Sequence, residues 1–451
     1  MSALPSRLLD QALSAGKTRG LAWAELFFKS GATRTVNLMA DGSVNWTRTA
    51  EGGVALRVFL ESGATGFVST TGPAPHESIS RYLIDAALDA ARPAAGPSRR
   101  PIMPVTGKGG DGRGLGIFDA RLHAATHGDL EGILDDAASE ALRADPRVRR
   151  LESASIAASS SEVMLANSAG FIGSYRQTLV HLALGVVAGD AARSVVVRRS
   201  RTARTLAAFS PGLFGDETAR LAATALEGRP PREGIFPVVL APPAAAELLR
   251  CFTKTLTLPG SAPGALVGSR RLTIIDDGRL PGGCASAPFD GDGVVTRRTP
   301  LVSHGEFGEM IHDTASAAAT PGARSTGNGL RASFRDAPRR SPSNLFIAPG
   351  SDDPSDLLAE LGRMGGGLWA QTVRPTPAVT GDDSIFTVLV TGRWVGADGP
   401  GAPVAGALVS WPVASLLHGV MGAGNDLTFG FLSSSYGAPS LLINEIGVRA
   451  S

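Results

Sequence analysis

Apolar residues recur at helical spacing in the first segment, where Leu8, Leu9, Ala12 and Leu13 share one face of a helix over residues 4–16. The chain then turns through GKTRG into the strand AWAELFFKSG. From there to about residue 71 apolar and polar positions alternate, with turn signals at ADG, EGG and ESG, which predicts a β-meander of three or four strands. HESISRYLIDAALDAARPA is an amphipathic helix stopped by Pro93. Residues 94–116 are rich in Pro, Gly and Arg without periodicity and read as a surface connection. A second unit is expected to follow, with a helix over 128–146, strands over 149–190 and a hairpin turn at Asn167-Ser168. Another helix follows over 215–227, N-capped by Asp216. GRPPREG, 228–234, ends that helix and marks the best domain boundary. Beyond it lie short strands and Gly/Pro turns, with helices near 243–255, 353–363 and 412–422.

The pattern is that of an α+β protein. A two-part N-terminal domain carries the β-meander and helices, and a C-terminal domain is mostly antiparallel β with a few helices. The expected divisions are an N-terminal unit at 1–93, a connection at 94–127, a middle unit at 128–230 and a β-rich unit at 235–451. Composition agrees, since 56 glycines and 30 prolines in 451 residues suit turns and extended segments better than a helical bundle.

Charge narrows the partners. The net charge is +2, and lysine occurs only at 17, 29, 108 and 254. The one conspicuous basic cluster, Val195 to Arg204, has no aromatic residues interleaved to stack on bases, so direct nucleic-acid binding is not expected. The two cysteines, Cys251 and Cys284, make neither a disulfide framework nor a four-ligand zinc cage, which fits a reducing compartment. No apolar run of 18 residues and no signal-peptide core is present, so a cytoplasmic protein with no membrane contact is expected.

Histidines offer the first candidate chemistry. LVSHGEFGEMIH, 301–312, holds His304 and His312 with Glu306 and Glu309 between them. Zinc on a helix needs its first two imidazoles about one turn apart, and a spacing of eight corresponds to roughly 12 Å of rise, too far for one ion. A β-hairpin fits the window better. His123 and His127 have the i, i+4 step of a metal pair but no acidic residue between them. His418 sits in an apolar stretch and reads as a core or interface residue. Asp382 and Asp383 are adjacent, so on a strand they point to opposite sides and suit turn capping rather than a dyad.

The order of several motifs resembles the TldD/PmbA family, also called TldD/TldE or "modulator of DNA gyrase" proteins. They are EGGVALRVFLESGATGFVSTT (51–71), SEVMLANSAGF (161–171), STGNGLRASF (325–334), SPSNLFIAPGS (341–351), TGDDSIFTVLVTGRWV (380–395) and APSLLINEIGV (438–448). The resemblance implies a helix after the first C-terminal strand that, in the catalytic TldD type, carries HExxxH and binds zinc with a cysteine near the C-terminus. Here that helix reads PVVLAPPAAAELLRCF, with Glu247 and Cys251 but no histidine, and FLSSSYGAPSLLINEIGV has no cysteine. The chain is therefore similar to the TldE/PmbA type, with no catalytic residue and no metal ligand of its own.

That resemblance implies a TldD-type catalytic subunit as partner, zinc in that partner, and peptides or unfolded proteins as substrate. Homodimers are expected when the partner is absent. Arg324, Arg331, Ser341 and Asn344, in the polar segment that resembles the family's groove wall, are the substrate-groove candidates. A non-proteolytic binding protein acting on a toxin or gyrase is the alternative from another class. A subunit dedicated to maturing a peptide natural product is a third.

Overall fold

The computed structural model describes residues 3–39, 41–72, 77–92, 102–257, 263–375, 385–412, 417–431 and 435–451. Helix α1 (Ala3–Gly16) leads into β1 (Leu21–Leu38), β2 (Val44–Leu60), β3 (Thr65–Thr71) and α2 (Glu77–Ala90). A short helix α3 (Ala120–Ala124) precedes α4 (His127–Arg143). β4 (Val148–Asn167), β5 (Ile172–Gly189), β6 (Ser194–Ala203) and α5 (Pro211–Leu226) complete this half. All six strands form one antiparallel sheet in the order β3-β2-β1-β4-β5-β6, so β1 is flanked by β2 on one side and β4 on the other. The helices cover one face. Leu26, Val54 and Leu56 meet α1 and α2, while Val36, Ile156 and Leu182 meet α4 and α5.

Three expectations from the sequence are corrected here. EGG is not a turn, because Gly52 and Gly53 lie inside β2 opposite Ser30 and Lys29. The glycine serves close approach instead: a Cβ on Gly53 would stand 2.3 Å from the Phe334 ring. Asp216 is not an N-cap. Helix α5 starts a turn earlier, with Pro211 at its first position, and Asp216 pairs with Arg220 at 2.9 Å. The helix expected over 412–422 is not found among the described residues there: Val420–Ala423 is a strand paired to 441–443, and 413–416 lie outside the description. A short apolar run carries too few residues to separate helix from strand by periodicity, and the pairing decides it.

The C-terminal half begins with β7 (Gly234–Leu240) and α6 (Pro242–Thr257), then β8 (Ile274–Asp277), β9 (Arg298–Ser303), β10 (Glu306–Phe307) and α7 (Thr314–Ala319). There follow β11 (Gly329–Leu330), β12 (Arg339–Arg340), β13 (Asn344–Ile347), α8 (Pro354–Arg363), β14 (Gly367–Pro375), β15 (Ile385–Gly396) and β16 (Gly399–Pro412). Last come β17 (Val420–Ala423), β18 (Thr428–Phe431), β19 (Ser435–Ala438) and β20 (Leu441–Ala450). One sheet runs β10-β9-β8-β13-β19-β18. The other runs β16-β15-β14-β7-β20-β17 and closes on itself, because β20 also pairs with β16. Helix α6 lies between the sheets, its Ala244, Ala245, Leu248 and Leu249 packed against Ile274 of one and Val238 and Leu368 of the other. Among the described residues no helix is long and apolar enough to cross a membrane.

Candidate functional site

Alternation along β1 places Glu25, Phe27 and Lys29 on the sheet face that the helices leave bare. Register extends this face to Leu165 and Val163 on β4, opposite Phe27 and Lys29, and to Tyr175 on β5, opposite Val163. Loops of the C-terminal half, 283–291, 327–332 and 341–343, fold over it and leave a half-open cavity of about 330 Å³. Phe289 enters the sheet face edge-on to Phe171 and Tyr175, and fits because Gly173 has no Cβ to meet it.

Three buried polar networks hold those loops. In the first, Glu25 accepts from Arg57 at 3.0 Å and from Arg331, while Arg57 also reaches Asp292 at 2.5 Å. Arg331 gives its Nε to the Gly291 carbonyl at 2.8 Å and lies 4.5 Å from the Phe27 ring centre. Its Nη1 is buried without a hydrogen-bond partner. Burial pushes Asp292 up, but the charge and hydrogen bond of Arg57 outweigh it and hold the carboxyl below its ordinary value. Asp290 accepts backbone N–H groups from Asp292, Val294 and Gly329, yet burial and the neighbouring Asp292 push it well above the usual carboxylate range.

In the second network Arg204, 5% exposed, spends its donors on neutral oxygens. These are the carbonyls of Gly283 (3.2 Å), Thr178 (3.1 Å), Cys284 (2.5 Å) and Ser286 (3.3 Å) and the Gln177 side chain (3.0 Å). Nearby, Lys29 donates to the Ala332 carbonyl at 2.7 Å; burial, with the positive charge of Arg204 adding to it, lowers its pKa against the opposing pull of the Asp336 and Glu51 carboxylates. Tyr175 is pushed up to about 12 by burial, and burial likewise keeps the half-buried Cys284 a thiol.

The third network is Asp276, which accepts from Asn328 Nδ2 (2.6 Å), Ser343 N (2.7 Å) and Ser343 Oγ (2.9 Å). Burial outweighs these donors and pushes its carboxyl up to about 6. Beside it, fully buried Asn344 donates to the Asp277 carbonyl and Ser286 Oγ and accepts from Ala285 N.

The groove candidates divide accordingly. Arg331 and Ser341 line the cavity, Asn344 braces its wall from inside, and Arg324 is exposed and away from it. Lys29, Arg204, Tyr175 and Asp290 were not singled out by sequence reasoning. No local signal marks them, because what unites them is contact between segments hundreds of residues apart.

The histidines do not gather. His304 sits at φ +48° in the β9–β10 turn, and His312 is buried with its ring 3.3 Å from Ser316 Oγ. His123, on α3, meets Ser160 Oγ at 2.7 Å, whereas His127 starts α4 against Trp46. His418 is exposed in a turn, not in a core. On α6, Glu247 is held by Arg250 Nε at 2.9 Å through both oxygens. The Cys251 side chain and Asp382 and Asp383 lie outside the described residues. Among the described residues no group of three or more His, Cys, Asp or Glu could hold a metal ion.

Two domain families match the sequence: the PmbA/TldA metallopeptidase central domain over residues 124–226 and the PmbA/TldA metallopeptidase C-terminal domain over 233–450. Metalloprotease PmbA of Escherichia coli O157:H7 is 26% identical over 439 residues, covering 92% of this chain and 89% of that protein. Other relatives match over less of their length. An uncharacterized protein of Methanocaldococcus jannaschii is 33% identical across 27% of this chain and 28% of its own. A metalloprotease TldD homolog of Buchnera aphidicola is 25% identical across 48% of this chain and 49% of its own. Among solved structures, TldE from Thermococcus kodakarensis superposes with a TM-score of 0.83 at 15% identity, over 98% of this chain and 100% of that one. A putative modulator of a DNA gyrase from Thermotoga maritima does so with 0.83 at 20% identity, over 98% and 99%. At those identities the superpositions speak for a shared fold.

Proposed function

The chain belongs to the PmbA/TldD metallopeptidase family, and we propose that within it this protein is the TldE-like, non-catalytic subunit of a heteromeric zinc metallopeptidase acting on peptides and unfolded proteins in the cytoplasm. The observation that carries the reading is the state of α6. Where the resemblance calls for imidazoles around a zinc ion, the helix offers Glu247, whose two oxygens are both taken by Arg250. A carboxylate paired in this way, on a helix that offers no imidazole to hold a metal beside it, lacks the arrangement by which a metallopeptidase glutamate activates water. The donor set does not fit zinc, and no metal-dependent step is assigned to this chain.

Its own part is to bind and orient. The cavity over Lys29 presents an apolar wall of Phe27, Val163 and Phe289 with charged and amide groups at its rim, the mix that holds a peptide end. Residues 44–51 of β2 are exposed and run beyond β3, which pairs only with 53–59, so among the described residues no strand pairs with that edge and it is suited to taking another. Co-expression with a TldD-type protein and digestion of peptides by the purified mixture tests the reading. Cleavage confined to the mixture supports it, whereas cleavage by this chain alone, or failure of the two to associate, sinks it.

A further inference from the structure

The cavity between the sheet and the C-terminal loops carries positive charge that its own walls do not cancel. Arg204 touches only neutral oxygens, and the hydrogen bond Lys29 makes goes to the Ala332 carbonyl, which leaves its other ammonium hydrogens unused. Arg331 borders the same space. Glu25 neutralises its charge, but Nη1 remains buried without a partner. Among the described residues the carboxyl lining the cavity is that of Asp290, which three backbone N–H groups already occupy and which burial drives toward its neutral form. Asp336 and Glu51 lie near enough to Lys29 to offset part of its desolvation, but neither lines the cavity, and Arg204 is a buried cation with no carboxylate partner. Such a cation is costly, and an anion entering beside it recovers part of that cost.

We propose that this cavity is a carboxylate subsite, which takes the free C-terminal carboxylate of a short peptide against the Lys29 ammonium, with the last side chain of the peptide on Phe27, Val163 and Phe289. At about 330 Å³ the space is at the small end for ligand pockets, sized for a chain end rather than a long segment. Arg204 contributes its charge from behind, since its hydrogens are committed to the 283–286 loop. The carboxylate itself follows from the charge distribution. Its assignment to a peptide rests on the subunit reading above.

Calorimetric titration of the purified full chain tests it with four probes: N-acetyl-Ala-Ala-Leu as free acid, the same peptide as C-terminal amide, amidated N-acetyl-Ala-Glu-Leu, and inorganic phosphate. The free acid is expected to bind at least tenfold more tightly than the amide, and Lys29→Gln to remove that advantage while far-UV circular dichroism is unchanged. An amide that binds as well as the acid overturns the proposal, as does a K29Q chain with the acid's advantage intact. Equal binding by the glutamate-containing amide, or saturation by phosphate that the peptide acid cannot displace, overturns the chain-end assignment in favour of a side-chain or inorganic anion. The acid-to-amide comparison needs no variant, so a K29Q chain that fails to fold leaves the test decisive. Because the titration uses this chain alone, its outcome is independent of whether a TldD-type partner associates.

Discussion

Glu25 on β1 and Arg331 just after β11, 306 residues apart, form an ion pair in which each side chain is 1% exposed. Glu25 also holds Arg57, and Arg57 holds Asp292, so one carboxylate ties the N-terminal sheet to two loops of the C-terminal half. Glu25→Gln leaves two buried guanidinium groups short of charge and should destabilise the protein by about 3–5 kcal/mol. Urea denaturation reads this directly. A loss under about 0.5 kcal/mol would show that the pair contributes nothing to holding the halves together.

Asp276 predicts a pH dependence. Its carboxyl has a pKa of about 6 in the fold against 3.8 when free, so between those values the folded state binds more protons than the unfolded one. The stability it contributes is full below about pH 4 and is lost as pH rises through 6, on the order of 2–3 kcal/mol in all. Asp276→Asn cannot ionise and should remove that slope. The buried His312, held below its ordinary pKa by burial, pulls the other way in acid but is common to both proteins. Denaturation midpoints of wild type and D276N at pH 4 and pH 7 check this, and parallel losses in the two proteins would contradict it.

Glu247→Ala should leave peptide cleavage by a reconstituted complex unchanged within about twofold. Glu247 and Arg250 are an i, i+3 pair with Arg250 partly exposed, so the stability cost should stay near 1 kcal/mol or less. A fall of several orders of magnitude in kcat with folding intact would reveal a catalytic role for this carboxylate and remove the basis of the subunit reading.

Elemental analysis of the purified chain should find no stoichiometric zinc, since α6 supplies no imidazole and His304 and His312 face different surroundings. One tightly held zinc per chain would instead require ligands outside the described residues, or a rearrangement that brings His123 and His127 together.

The sequence announced the elements well where period and punctuation agreed. The α1 face of Leu8, Leu9 and Ala12 and the Asn167 hairpin follow local rules. It misled where a residue served a distant neighbour. The glycines of EGG admit Phe334, which no window around residue 53 contains. For the same reason the buried partners of Arg331 and Asn344, namely Glu25 for the first and Asp277 and Ser286 for the second, could not be read from the segment that made them groove candidates. Lys29 was visible only as one of four lysines. Beyond its own strand, its surroundings are assembled by β4, β5 and three loops, none adjacent to it in the chain.

The closed ring of the C-terminal half has a consequence for how the protein is made. β7, the first strand of that half, lies between β14 and β20, and β20 is formed by residues 441–450. On a translating ribosome β7 and α6 emerge long before the strand that covers their other side, so apolar surface such as Val238, Leu240 and Leu248 stays open until synthesis is nearly done. The N-terminal sheet is under no such delay, because every strand it needs has emerged by residue 203. Maturation of the nascent chain should therefore occur in two stages, the N-terminal sheet first and the C-terminal ring only after its last strand is made.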